Sequence, residues 1–141
     1  YRNYAVDFNN DKKIDLWDSN ADVIGSVANY FSKHGWRYNQ PVLSSINTGN
    51  ISSLRTESKK SYKPSTSYAV YLSKGLKSIE DISEDEKLSV IVRKEQSGDV
   101  FNFAHKNFYV ITRYNRSRLY ALAVHFLSVE LREAKSQMER L

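Results

Sequence analysis

The chain predicts an α+β fold, with helices at both ends and a small strand-containing insert between them. Three patterns carry that reading. Tyr120, Val124, Leu127, Leu131, Ala134 and Met138 fall at alternating steps of four and three, one stripe of a long helix. Near the start, after a helix-opening Ser19, Ile24, Val27, Ala28 and Phe31 also fall at helical spacing. Between them, Leu88, Val90 and Val92 alternate with Ser89, Ile91 and Arg93, and a turn over 95–99 leads into Val100-Phe101-Asn102-Phe103, which is a β-hairpin. The predicted organisation is a loop and helix over 1–40, a strand-containing insert with the β-hairpin over 41–105, and C-terminal helices over 106–141.

The first sharp motif is Asp7-Phe8-Asn9-Asn10-Asp11-Lys12-Lys13-Ile14-Asp15-Leu16-Trp17-Asp18. Oxygen side chains at its positions one, three, five and nine, with an aliphatic residue at eight, follow the EF-hand pattern. Asp7, Asn9 and Asp11 would converge on a hard cation, and the Lys13 carbonyl would add a fourth oxygen. Position six, where the turn needs a positive φ and glycine is usual, is Lys12, at a cost of about 1 kcal/mol. Position twelve is Asp18, shorter than the customary glutamate, and Asp22 one turn later is the other candidate. The competing reading is an Asx-rich turn without a metal. Ser19-Asn20-Ala21-Asp22 opens the next helix and His34-Gly35 closes it, His34 as a cap rather than a ligand. Tyr30 lies beside the apolar stripe, fit for a core edge or a cleft wall.

From Pro41 to Ser67 serine, threonine, asparagine and lysine dominate, which predicts loop with one or two short strands, a turn at Thr48-Gly49-Asn50 and a solvated tip at Lys59-Lys60. A short helix over 68–74 ends at Gly75, and 79–87 is acidic and turn-like. Phe108 to Thr112 is β-branched and aromatic like a strand, yet Phe108, Ile111 and Tyr114 fit a helical turn, and a short helix is preferred. Tyr114-Asn115 then falls at a break before the final helix, for which Ser117 is the N-cap. A tyrosine offers a flat apolar face with a hydroxyl at its tip, and an asparagine offers donors and acceptors, the combination a sugar needs. The plainer alternative is that Tyr114 packs and Asn115 caps.

Composition bounds the function. Forty per cent apolar and thirteen per cent aromatic residues supply a core. Twenty-one basic against sixteen acidic residues leave a charge of +5, which suits an anionic partner such as a peptide carboxylate, an envelope surface or nucleic acid. The absence of cysteine removes disulfides and thiolate metal sites. No run reaches the roughly 18 apolar residues of a membrane span.

Both ends of the chain resemble the lytic murein transglycosylase B family. The resemblance rests on Tyr4-Ala5-Val6-Asp7-Phe8-Asn9-Asn10-Asp11, Ile14-Asp15-Leu16-Trp17-Asp18, Gly25-Ser26-Val27-Ala28-Asn29-Tyr30-Phe31 and His34-Gly35-Trp36. It continues in Asn107-Phe108-Tyr109-Val110-Ile111-Thr112-Arg113-Tyr114-Asn115-Arg116-Ser117 and Leu119-Tyr120-Ala121-Leu122-Ala123-Val124. It implies a lysozyme-like α+β enzyme of the bacterial cell envelope, periplasmic or outer-membrane-associated, acting on peptidoglycan glycan strands. Such an enzyme cleaves the N-acetylmuramic acid–N-acetylglucosamine bond, the muramyl 6-hydroxyl closes a 1,6-anhydro ring, and one glutamate serves as acid and then base. By the same resemblance Tyr30, Tyr114, Asn115 and Tyr120 would line the saccharide groove, and Asp7, Asn9, Asp11, the Lys13 carbonyl and Asp22 would hold Ca2+. The family's catalytic glutamate lies upstream of the motif that Tyr1 matches, so this chain is expected to carry no catalytic residue and to need that N-terminal half as its partner. Glu57, Glu80, Glu84, Glu86 and Glu95 have no matching context, and their polar surroundings argue against a carboxyl raised by burial. Two other classes compete: a non-catalytic envelope module binding glycan or a partner, and a basic nucleic-acid-binding domain. In the latter, the aromatics are not interleaved with lysine and arginine in a recognised single-strand-binding pattern.

Overall fold

A computed structural model describes the backbone of residues 4–15, 18–114 and 118–139, and the side chains of all these except 118–121. After the loop that precedes it, α1 runs Asn20–Lys33. Then come β1 (Leu43–Ser45), α2 (Ile51–Ser58), β2 (Thr66–Ser67) and α3 (Tyr68–Ser73). The hairpin strands β3 (Lys87–Glu95) and β4 (Gly98–Ala104) follow, and α4 (Lys106–Tyr114) and α5 (Arg118–Glu139) finish the chain. The four strands form one antiparallel sheet in the order β1-β4-β3-β2.

The hairpin is the centre of the molecule because β3 is buried on both faces. Leu88 and Val90 pack with Leu54, Tyr68, Tyr71, Leu76, Phe101 and Phe103 on the side covered by α2 and α3. Ile91 joins Ala104, Phe108, Ile111 and Leu122 on the other. The register pairs Val90 with Phe103 and Val92 with Phe101, so aromatic and β-branched side chains meet directly across the strands. A strand walled on both sides reads as a nearly continuous apolar run, which is why Ile91 interrupts the simple alternation.

Several predicted elements stand as read. The α1 cap is Ser19, whose hydroxyl accepts from the Asp22 N–H at 3.2 Å. His34 caps the other end, its Nδ1 lying 2.9 Å from the Tyr30 carbonyl, and Gly35 takes φ 92°. The short helix closed by Gly75 is α3, and the ambiguous stretch over 108–112 is helical, within α4.

Three expectations fail for identifiable reasons. The 41–67 stretch is not loop with short strands alone, for it holds the eight-residue helix α2. The predicted turn residue Asn50 is that helix's N-cap, accepting from Ser52 N–H at 2.8 Å and Ser53 N–H at 3.4 Å. In α1 the apolar stripe is covered only at its end, where Phe31 packs against the second core, while Ile24 and Ala28 are exposed. Asp22, Gly25 and Ser26 are buried instead against the preceding loop, where Ser26 accepts from Val6 N–H at 2.9 Å and Asn29 donates to the Tyr4 carbonyl at 3.0 Å. Gly25 is required there, as a Cβ would sit 2.7 Å from Phe8. In α5 the stripe runs out of the body: Val124 packs partly buried against the core beside the off-stripe Leu122, but Leu127, Leu131 and Met138 are 57, 61 and 72% exposed. The expected N-cap Ser117 lies outside the described residues.

One buried side chain joins α1 to α4. Asn107 accepts the Arg37 N–H at 2.7 Å and donates to the carbonyls of Arg37 and Gln40 at 2.9 and 3.0 Å. The turn after α1 is thereby fixed to the first turn of α4.

Candidate functional site

The acidic loop is built around Asp22. Fully buried in the first turn of α1, it accepts Phe8 N–H on Oδ1 at 2.9 Å and Asp15 N–H on Oδ2 at 2.8 Å, so one carboxylate holds both flanks of the loop. Inside it, Asp7 accepts from Asp11 and Lys12 N–H at 3.2 and 2.8 Å, Asn9 from Asp11 N–H at 3.3 Å, and Asp11 from Lys13 N–H at 2.9 Å. These bonds wrap the backbone around its own side chains. Lys12 sits at φ 71°, the positive value its loop position demands.

Asp7, Asp11 and Asp22 each present a carboxylate oxygen within 4.8 Å of the other two. Asp18 is not in that group; its N–H donates to Asp15 at 3.0 Å. Three converging carboxylates repel one another, and among the described residues no lysine or arginine forms an ion pair with any of them. Carboxylate oxygens engaged by one N–H keep a lone pair for a cation. The donor set therefore fits a hard divalent ion with oxygen ligands, with Asn9 and Lys13 in the same loop.

The far end of α1 carries an aromatic cluster. The Tyr30 ring stacks on His34 with centroids 3.9 Å apart and meets Tyr4 and Tyr114 edge-on at 4.9 and 5.4 Å. Tyr114 also meets Phe31 edge-on at 6.0 Å. The Tyr30 hydroxyl donates to the Arg113 carbonyl at 2.6 Å, satisfying one of the acceptors left open at the end of α4. Of the four expected groove residues, the structure thus brings Tyr30 and Tyr114 together. Asn115 lies outside the described residues, as does the side chain of Tyr120. Tyr4 and His34 belong to the same cluster and were not expected in it. Tyr4 sits at the edge of a recognisable motif, whereas His34 carries only the signal of a cap.

A second constellation, Ser44-His105-Glu86, has the residue types of a hydrolytic triad. Ser44 Oγ lies 2.5 Å from His105 Nε2, and His105 Nδ1 lies 3.7 Å from Glu86 Oε1. Ser44 is only 3% exposed, so its hydroxyl meets no substrate, and the group is a polar joint between β1, β4 and the 79–87 segment. Burial pushes the His105 imidazole below its ordinary pKa; the Glu86 and Glu80 carboxylates oppose this and Arg37 reinforces it. Burial and the Arg132 and Arg93 charges push His125 down as well. A depressed imidazole pKa means the unfolded chain binds the proton more readily, so stability falls as pH drops below about 6.5. Thermal melts from pH 7.5 to 5 are expected to show this decline, and His105→Gln should make it shallower, with His125 supplying the remainder. An unchanged slope in that variant would remove His105 as a source.

Glu57 corrects an expectation in part: it is buried, not in polar surroundings. Burial raises its carboxyl pKa, but Lys74 at 2.8 Å and Lys60 at 3.1 Å outweigh this and hold it below the usual range. It is an ion-paired anion, not a proton donor. Lys60, expected at a solvated tip, is one of its two partners.

Comparison with known proteins matches this arrangement to a family. The membrane-bound lytic murein transglycosylase B of Escherichia coli K12 is 37% identical over 137 residues, covering 97% of this chain and 36% of that protein. The catenated lytic transglycosylase SltB1 of Pseudomonas aeruginosa superposes with a TM-score of 0.86 at 36% identity, over 94% of this chain and 43% of that one. The Escherichia coli lytic transglycosylase Slt35 in complex with calcium gives 0.83 at 35% identity, over 96% and 42%. The chain therefore spans well under half the length of these relatives. No helix among the described residues is long and apolar enough to cross a membrane. With residues 1–129 matching its pattern from before the acidic loop to the middle of α5, the chain belongs to the transglycosylase SLT domain family.

Proposed function

We propose that this chain supplies the ion-binding loop and one saccharide wall of a peptidoglycan lytic transglycosylase. The observation that carries the reading is the placement of two features on one helix. In the first turn of α1, Asp22 meets the Asp7 and Asp11 carboxylates of the preceding loop, and the last turn of the same helix sets Tyr30 against Tyr114. In this reading Asp7, Asn9, Asp11, the Lys13 carbonyl and Asp22 hold Ca2+, which neutralises the carboxylates and stiffens the loop on which α1 rests. Tyr30 and Tyr114, with Asn115 and Tyr120, line the groove for glycan strands. Tyrosine rings lie against pyranose faces, and Asn115 exchanges hydrogen bonds with an N-acetyl group or ring hydroxyl.

The proposed reaction cleaves the β-1,4 bond after N-acetylmuramic acid, with the muramyl 6-hydroxyl closing the 1,6-anhydro ring. The proton-transferring carboxylate is assigned to another part of the parent protein, for Glu57, the one buried glutamate among the described residues, is committed to two lysines. The working place is the bacterial cell envelope, where the Escherichia coli relative is membrane-bound.

Calorimetry with calcium tests the loop. The chain should give one saturable heat, and Asp7→Ala with Asp11→Ala should give none; equal silence from both would remove the ion. For the groove, Asn115→Ala should weaken binding of a GlcNAc–MurNAc oligosaccharide about tenfold with the melting temperature nearly unchanged. A variant that melts early while its folded fraction binds normally would make Asn115 a structural cap. Digestion of purified murein with this chain alone should release no 1,6-anhydromuropeptide.

A further inference from the structure

A cavity of about 200 Å³ beside α4 is lined by Arg37, Lys63, Pro64, Lys87, Lys106 and Tyr109. Its four cations come from four separate stretches: the turn after α1, the segment before β2, the first residue of β3 and the first residue of α4. Arg37 is paired with Glu86 at 3.4 Å. Lys63, Lys87 and Lys106 have no carboxylate within ion-pair distance among the described residues. Folding has gathered three uncompensated positive charges at one concavity, although each repels the others. Lys106 lies 5.4 Å from the centre of the Tyr109 ring, and Arg113 lies 5.5 Å from the same ring while donating to the Tyr109 hydroxyl at 3.3 Å. Lys106, Tyr109 and Arg113 are thus a continuous basic and aromatic face of α4.

That face leads to the saccharide wall. The Arg113 carbonyl receives the Tyr30 hydroxyl, and Tyr114 ends the helix. The nine residues of α4 put the basic cavity about 13 Å from the tyrosines. Four residues of extended peptide span a similar distance, roughly 13 Å. We infer that the Lys63-Lys87-Lys106 cavity is a subsite for a carboxylate of the murein stem peptide whose sugar lies against Tyr30 and Tyr114. The inference rests on the groove reading above for the position of the sugar. A stem peptide rich in free carboxylates, leaving the muramyl unit and running along α4, would bring a negative charge to the lysines.

Two probes separate this subsite from the groove. Amide spectra of the chain are recorded with a free stem pentapeptide and, separately, with a peptide-free GlcNAc–MurNAc disaccharide. The pentapeptide should shift the signals of Lys63, Lys87 and Lys106, less so at 0.3 M than at 0.05 M salt because Lys63 and Lys87 are exposed and Lys106 is only half-buried. The disaccharide should shift Tyr30 and Tyr114 instead. If the disaccharide fails while the pentapeptide moves the lysines, the groove reading falls and the anion subsite stands. If the pentapeptide leaves the lysines unmoved, the subsite falls whatever the disaccharide does. The variant with Lys63→Gln, Lys87→Gln and Lys106→Gln should lose about tenfold in affinity for the disaccharide pentapeptide and none for the peptide-free disaccharide. An equal loss for both ligands would overturn the assignment. So would a shift of the lysines by inorganic phosphate at matched ionic strength with none by the pentapeptide, which would make this a phosphate site.

Discussion

Asp22→Ala is expected to lower the melting temperature by about 10 °C and to abolish the calcium heat. The substitution removes a buried carboxylate that accepts from Phe8 and Asp15 N–H, the two flanks of the acidic loop. Bonds to an ionised acceptor contribute roughly 1.5–3 kcal/mol each, and an anion in the first turn of a helix adds a few tenths more. A net loss of about 3 kcal/mol, after water reaches part of the loop, converts to about 10 °C for a domain of this size. Asp22→Asn keeps one acceptor oxygen but turns an amide toward the second N–H, and should fall between the two. Melts with and without calcium decide it. Were Asp22→Ala to melt like the parent chain in both conditions, the loop would not depend on this residue.

Asn107→Leu is expected to cost about 3 kcal/mol in urea unfolding. The two side chains are similar in size, so the change leaves little void. It strands the Arg37 N–H and the Arg37 and Gln40 carbonyls, all three now held by one amide. A buried backbone group left without a partner costs roughly 1–3 kcal/mol, and the partial exposure of this turn moderates the sum. The slope of the urea transition should be unchanged, since the denatured chain exposes nearly the same surface. A loss below about 0.5 kcal/mol would mean that water replaces the amide freely.

The parts of the fold legible in the sequence were those where local chemistry and tertiary surroundings agree. The hairpin has alternating strands around a glycine-containing turn, and Ser19 and Gly35 bracket α1 with cap chemistry that no neighbour overrides. Helix α2 was illegible because Ile51-Ser52-Ser53-Leu54-Arg55-Thr56-Glu57-Ser58 contains two apolar residues, and its buried face is Leu54 with an ion-paired Glu57. The buried side of α1 was misread for a related reason: it packs on a backbone-rich loop, which asks for Asp22, Gly25, Ser26 and Asn29 rather than for aliphatic side chains. The amphipathic stripe of α5 is real as a pattern, but periodicity does not say whether the covering surface belongs to the same stretch of chain. In the candidate site, the oxygen spacing that brings Asp7 and Asp11 to Asp22 was readable. The contribution of Tyr4 was not, since it depends on how the loop lies against α1.

The Tyr30 hydroxyl and the Arg113 carbonyl are 83 residues apart in sequence. Everything from β1 to β4 is therefore the content of one large loop closed at that contact and at Asn107. The entropy lost on closing a loop grows only with the logarithm of its length, so doubling the intervening segment costs about 0.6 kcal/mol. A segment that carries its own apolar centre, as the hairpin does with α2 and α3, can repay that amount with a single additional buried methylene. Natural variation in length should thus concentrate between Gln40 and His105, leaving the spacing within α1 and within α4 untouched, because one residue added to either helix would rotate Tyr30 or Arg113 by about 100° out of register.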